Sequence, residues 1–458
     1  MRNGPDGDGV TPENAKRVFS GAFVTRGRAD FELFHYTCGV DHRVEDIMQK
    51  TAILIGAGQR GKIYANYALT NPDELNVIGV AESDSVRREE CKLAHSIDDA
   101  NCLASWEDVF ARDKWADAVM ICTQDTMHYE PVMAAIEKGY DILLEKPIAP
   151  TEKECTEIAE AAAKAGVKVI VCHVMRYTPL FSQIKDIIDS GAIGEIVTFV
   201  HNENVGDTHH AHSFTRGNWR NTAESSPMIL AKSCHDMDIM QWLVGKRCIS
   251  LSSHGSLKYF NAANRPKAAP DRCTDGCTVD CPYDARKLYV QSKNEWFRAV
   301  AAGHSSPTDD EVEKAIEVGP YGRCVFACDN DVVDHQTVNM LFEDDITVIF
   351  SMSSFTPEIS RSLKIMGTRG QIKAHTDAEN IIVTDFITRE VKEIPIADIE
   401  GGHGGGDVGI MQSFCQYLRG EIDATSGKIS EIGISAANHR LSFKAEESRL
   451  AGGKLMVL

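Results

Sequence analysis

The chain has 458 residues, of which 43% are hydrophobic and 25% charged, and it carries a net charge of −19. That length holds two or three domains with sizeable cores, and the balance is that of a globular protein. The acidity excludes a nucleic-acid surface, no apolar run approaches the ~18 residues of a membrane span, and 14 scattered cysteines with no secretory leader point to free thiols in a reducing, cytoplasmic setting.

Residues 1–47 are rich in Gly, Asp and Arg and show no sustained period, so they read as a poorly ordered N-terminal extension, with Met48 as an alternative natural start. From Met48 to residue 175, short apolar runs at 52–55, 77–81, 117–122, 141–144 and 168–173 alternate with helical stretches such as Met127–Lys138 and Glu152–Ala165. A Thr151-Glu152-Lys153-Glu154 capping box opens the latter. This alternation predicts a doubly wound parallel sheet covered on both faces, with ligands bound beyond the strand C-termini. Gly56, Glu82, Thr123 and Glu145-Lys146-Pro147 all fall at that edge.

The first strand runs into Gly56-Ala57-Gly58-Gln59-Arg60-Gly61. Gly56 allows the strand-to-helix turn, Gly58 lets backbone approach a pyrophosphate, and Gly61 lets the helix pack close to the strand. Glu82 ends the second apolar run, where a carboxylate meets the adenosine ribose hydroxyls. It would repel a 2′-phosphate, so NAD is expected in preference to NADP. Arg87 and Arg88 blur that preference or simply form a solvated first turn of a helix.

After residue 176 the pattern changes. A helix near 179–190 and a strand at 196–202 precede a long polar loop with His209, His210, His212, Arg216, Trp219 and Arg220. A helix at 228–243 carries Lys232, His235, Asp236 and Asp238. Period-two alternation at Val338–Phe342, Val348–Met352 and Leu363–Ile365 predicts antiparallel strands with one buried face. Residues 303–322 read as an insertion loop with a short helix. The turn Gly401–Asp407, with His403, precedes a helix near 408–418, and the chain closes with a helix near 430–448 and a strand at 453–458. Cys273, Cys277, Cys281, Cys324 and Cys328 have a spacing that zinc permits without requiring it; reduced thiols are the default, and no metal is expected.

The glycine turn, Glu82, the Thr123–His128 stretch, Glu145-Lys146-Pro147 and His235 on a helix ending in Trp242-Leu243-Val244-Gly245 together resemble the Gfo/Idh/MocA oxidoreductases over residues 48–458. The resemblance implies an N-terminal Rossmann domain (48–175) and a C-terminal α/β domain (176–458) whose open, mostly antiparallel sheet often forms a subunit interface. A homodimer or homotetramer is therefore expected. It also implies substrates among sugars, polyols and their derivatives.

Within that frame Gly56, Gly58, Gln59, Arg60, Gly61, Glu82, Thr123, His128, Glu145 and Lys146 are the expected cofactor contacts. Lys146 is the expected acid/base at the reacting hydroxyl, with Glu145 orienting it, and His235 assists, with Asp236 beside it as a relay. Relatives carry Asp four residues before that histidine; here the position is Ala231, followed by Lys232. Arg176, Tyr177, Trp219, Lys232, Asp236 and His403 are the expected substrate contacts. The family resemblance supports two net reactions: simple dehydrogenation of a secondary hydroxyl, or a redox-neutral glycosidase/lyase cycle of transient C3 oxidation, elimination, hydration and re-reduction.

Overall fold

The computed structural model describes residues 48–397, 402–424 and 427–458; the expected N-terminal extension and Gly401 lie outside the described residues. Ile53, Leu54 and Ile55 are buried on both faces of the first strand, as a central parallel strand requires. It is one of six strands in the first sheet: β1 (Lys50–Ile55), β2 (Leu75–Ala81), β3 (Cys102–Leu103), β4 (Ala118–Ile121), β5 (Asp141–Leu144) and β6 (Val169–Val171), in the order β3-β2-β1-β4-β5-β6. Every pairing in this sheet is parallel, which is the Rossmann arrangement. Helices α1 (Gln59–Thr70), α2 (Ser85–His95), α3 (Trp106–Phe110), α4 (Tyr129–Glu137) and α5 (Glu152–Ala165) cover it. At Thr151 only half of the expected capping box forms: its hydroxyl accepts the Glu154 N–H, while Glu154 accepts from that hydroxyl instead of from the backbone.

The second sheet contains β7 (Ile196–Asn204), β8 (Cys248–Ser256), β9 (His335–Phe342), β10 (Thr347–Ser353), β11 (Ser360–Gly367), β12 (Gly370–His375), β13 (Asn380–Asp385), β14 (Val391–Pro395) and β15 (Met456–Val457). Their order is β14-β13-β12-β11-β7-β10-β9-β8-β15. All neighbours are antiparallel except β7 and β10. On β9, Gln336, Val338, Met340 and Phe342 point inward while Thr337 and Asn339 face solvent, the alternation expected of a one-sided sheet.

Helices α6 (Pro179–Asp189), α7 (Asp207–His210), α8 (Met228–Ala231), α9 (Cys234–Val244), α10 (Glu295–Ala302), α11 (Asp309–Val318), α12 (Gly406–Arg419) and α13 (Ile432–Leu450) complete the fold. Three expectations change here. The stretch 207–216 is not a polar loop but α7 continued by a π-helical turn at Ala211–Arg216, with His209, His210 and His212 buried. The helix expected over 228–243 breaks at Lys232 and Ser233, between α8 and α9. The insertion spans β8 to β9 and has its own core of Phe260, Tyr283, Tyr289, Phe297, Val312, Ile316 and Tyr321. α12, distant in sequence, sends Ile410, Met411 and Phe414 into the core of the first sheet.

Candidate active site

The glycine turn lies at the C-terminal edge of the first sheet. Gly56 has φ +91°, and a Cβ there would stand 2.7 Å from the Cys122 carbonyl oxygen, so both conformation and space require glycine. A Cβ on Gly61 would meet the Gly56 carbonyl at 2.1 Å, whereas nothing lies within 4 Å of one on Gly58. No side chain caps the start of α1. Glu82 accepts the Ala57 N–H at 2.7 Å, which pins the end of β2 to the turn. These features fit a dinucleotide: tight where helix meets strand, open over Gly58, with free helix-terminal amides facing an anion. Arg87 and Arg88 are not simply solvated. Arg87 Nη2 is 3.0 Å from Glu82 Oε1, and the Arg88 guanidinium donates to the Glu82 and Ser83 carbonyls.

Arg60 turns away from that open space and ties the edge together. Its Nε donates to Glu145 at 2.8 Å, its Nη2 to Asp407 at 2.6 Å, and its Nη1 lies 3.3 Å from His403 Nδ1. Burial would raise the Glu145 carboxyl, but the Arg60 and Lys146 charges hold it below its ordinary range. Burial also opposes ionisation of Asp407, and hydrogen bonds from His403 and Arg60 overcome it. His403 thus belongs to the carboxylate cluster through Asp407, on a turn where His403, Gly404 and Gly405 all have positive φ. His128 is fully buried, its Nδ1 2.8 Å from the Pro147 carbonyl and its Nε2 3.1 Å from the Thr123 carbonyl; the ring nitrogen that carries the proton donates to the carbonyl beside it, and the ring packs between the two loops away from solvent. The Thr123 hydroxyl donates to the Met127 carbonyl at 3.1 Å.

Lys146, on a cis Lys146–Pro147 peptide, extends to the C-terminal end of α8. Its Nζ donates to the Ala231 carbonyl at 2.9 Å and stands 5.7 Å from the Trp219 ring centroid. The residue that replaces the expected aspartate therefore meets the lysine through its backbone. Trp219 is fixed by its indole N–H to Asp125 at 3.2 Å, and Asp125 also accepts from Ser225 and Ser226.

His235 lies 5.7 Å from the His173 ring and 6.5 Å from that of His403, centroid to centroid, and among the described residues its Nδ1 has no hydrogen-bond partner. Burial, followed by the Lys146 charge, drives its pKa far down, so it is a neutral imidazole. His173 is fully buried with neither ring nitrogen partnered, and its other flank meets His439 at 5.2 Å. His439 is pushed down to about 3 by burial and by His173.

Behind this group runs a chain of buried charges. Lys232 lies 3.3 Å from Glu203, Arg361 bridges Glu203 at 2.5 Å and Asp236 at 2.8 Å, and His201 meets Asp236 at 2.8 Å. Burial lowers the Lys232 pKa, partly offset by Glu203. Asp236, expected beside His235 as a relay and substrate contact, is instead fully buried and committed to Arg361 and His201. Arg176, expected as a substrate contact, forms a two-pronged pair with Asp238 at 2.6 and 2.7 Å, and Asn438 donates to the same carboxylate. Tyr177 bonds Ser430.

Asp125, His173, Glu203, Arg361 and His439 escaped the sequence reading. Glu203 and Arg361 carried a signal: they share the inward phase of Phe199 and His201 on β7 and of Leu363 and Ile365 on β11. A charged residue in an apolar phase needs a buried partner. Among the described residues no His, Cys, Asp and Glu cluster has metal-holding geometry; Cys273, Cys277, Cys281 and Cys324 line a small cavity beside Arg216 as free thiols.

Comparison with known proteins agrees with this geometry. The family model described as "Oxidoreductase family, NAD-binding Rossmann fold" matches residues 50–173, and its companion, "Oxidoreductase family, C-terminal alpha/beta domain", matches 185–427. YteT of Bacillus subtilis, named only as an oxidoreductase, is 26% identical over 72% of this chain and 80% of its own length. The scyllo-inositol 2-dehydrogenase (NAD(+)) of B. subtilis is 26% identical over 46% of this chain and 58% of its own. The 2,7-anhydro-N-acetylneuraminate hydratase of Mediterraneibacter gnavus is 30% identical over 32% of this chain and 36% of its own. An inositol dehydrogenase homologue from Azotobacter vinelandii, solved with NADH and myo-inositol, superposes with a TM-score of 0.64 at 15% identity, covering 90% of this chain and 98% of that one.

Proposed function

The chain belongs to the Gfo/Idh/MocA oxidoreductase family, and from that premise we propose that it moves a hydride between NAD and a secondary hydroxyl of a sugar, polyol or sugar derivative. The observation that carries the reading is Lys146: an amine from the first sheet's ligand edge held against the Ala231 carbonyl at the end of α8 and over Trp219. NAD, when bound, supplies the hydride acceptor. Lys146 polarises the substrate oxygen and takes or returns its proton. His235, uncharged and with a free Nδ1, is the acceptor beside it. Trp219 offers a flat apolar face to a sugar ring, and Lys232 holds a substrate oxygen against the charges behind it.

A redox-neutral reading has its own support. The carboxylate expected before His235 is absent at Ala231, and one relative is named a hydratase. In that cycle transient oxidation acidifies the neighbouring carbon, a leaving group departs, water adds, and the ketone is reduced again.

A panel of inositols, free sugars and chromogenic glycosides, assayed with NAD, tests both readings. NADH accumulating in proportion to substrate supports dehydrogenation. Aglycone release or hydration with no accumulated NADH supports the cycle, and neither signal from any member contradicts the oxidoreductase chemistry. Exposed Ile349, on the open face of the second sheet opposite to inward Val348 and Phe350, supports association of copies through that face, and the free thiols support a reducing, cytoplasmic setting.

A further inference from the structure

The insertion between β8 and β9 reaches the glycine turn. Trp296, at the start of α10, donates its indole N–H to Gln59 Oε1 at 3.0 Å. Gln59 is the first residue of α1, at the helix end whose backbone amides favour an anion. The contact joins segments 237 residues apart. Trp296 remains 38% exposed, so apolar burial alone does not account for its position.

The platform behind it is rigid. The Asn294 side chain caps α10 by accepting the Phe297 N–H at 3.0 Å. The Trp296 ring meets His209 and His212 edge-on, each at 5.2 Å between centroids. His212 stacks on Phe297 at 4.3 Å and on Tyr321 at 4.8 Å, and its Nδ1 bonds the Tyr289 hydroxyl at 3.0 Å. Arg216 and Arg323 then stitch the π-helical turn to the insertion, each donating to the other's carbonyl, at 2.7 and 3.0 Å. An aromatic anchored on a packed insertion thus holds a side chain at the mouth of the turn.

We propose that the insertion is a clasp on the cofactor: Trp296, through Gln59, closes the glycine turn over the NAD diphosphate and slows release of the nucleotide, so that it stays bound between turnovers. The clasp rests on the NAD reading of the turn and is independent of the chemistry assigned to Lys146. A retained cofactor suits the redox-neutral cycle, in which NAD is regenerated in place.

The test is the rate at which bound NADH leaves the whole protein when chased with excess NAD, followed by nicotinamide fluorescence. Trp296→Phe keeps a ring against His209 and His212 and removes the donor to Gln59. It is expected to release NADH about ten-fold faster, the scale of one hydrogen bond. Gln59→Ala, at an exposed position, predicts the same acceleration and serves if Trp296→Phe misfolds. The double variant should be no faster than either single one. Release within about two-fold of the parent in both single variants, or additive effects in the double, overturns the clasp alone. A parent protein that binds no NADH overturns the NAD reading and the clasp together.

Discussion

At residues 56–61 the site is built from backbone: a turn, two tight glycines, one open glycine and the amides that start α1. At Lys232, Glu203, Asp236 and Arg361 it is built from buried side-chain charges brought together from β7, β11, α9 and the break that precedes α9. The first region works because few residue types can adopt its shape. The second works because each charge is held by another, so its worth lies in the set. The first kind of construction suits a cofactor shared by many enzymes; in the function proposed above, the second serves to hold Lys232 where a substrate oxygen would meet it.

The comparison is tested most strongly where the two regions meet. Lys146→Ala should lower kcat/KM by roughly 10²- to 10⁴-fold, the usual contribution of a general acid/base, while NADH affinity measured by calorimetry stays close to that of the parent. An equal loss of NADH affinity would place Lys146 in the backbone-built region instead. Arg361→Ala removes the cation that Glu203 and Asp236 share, leaving only Lys232 beside one and His201 beside the other, and should cost about 3–5 kcal/mol of stability, read from denaturant unfolding. A loss below about 1 kcal/mol would mean that the charged wall is solvated.

Histidines buried outside both regions give a separate test by pH. Burial pushes His210 down to about 4, and His212 and His439 to about 3. Above the unfolded value of about 6.5 these groups are neutral in both states and make stability independent of pH. As pH falls from about 6.5 toward 4, the unfolded chain takes up protons that the folded one refuses, so stability should decline by about 1.4 kcal/mol per pH unit for each of the three. Unfolding curves at stepped pH check this, and a flat profile between pH about 6.5 and 4.5 would contradict it. The smallest effect is expected at Arg87, whose side chain is 37% exposed beside Glu82. Arg87→Ala should change NAD affinity by less than about five-fold in direct titration, whereas a large change would make the Glu82–Arg87 pair a cofactor determinant.

How far each region could be read in advance follows from the same contrast. The turn, Glu82 and Lys146-Pro147 sit at ends of apolar runs, so local sequence placed them at one sheet edge, and the strand order of the first sheet agrees. The partners of Asp236 could not be read from its neighbours. It stands beside His235 in sequence, yet its hydrogen bonds go to His201 on β7 and Arg361 on β11, because one helical step rotates it onto a different face. The histidines at 209–212 read as a polar loop because histidine is polar by type; buried among Phe214, Phe260 and Phe297, they act as aromatic rings. Trp296 gave no local sign at all, since its role depends on an insertion folding back on Gln59.

The account turns on where Lys146 stands relative to the reacting carbon. A crystal structure of the protein with NAD and a polyol that it turns over would measure this directly. The expected result is Lys146 Nζ within about 3 Å of the hydroxyl whose carbon faces the nicotinamide, with His235 alongside. A substrate hydroxyl held by other residues, with the ammonium still turned to the Ala231 carbonyl, would contradict it.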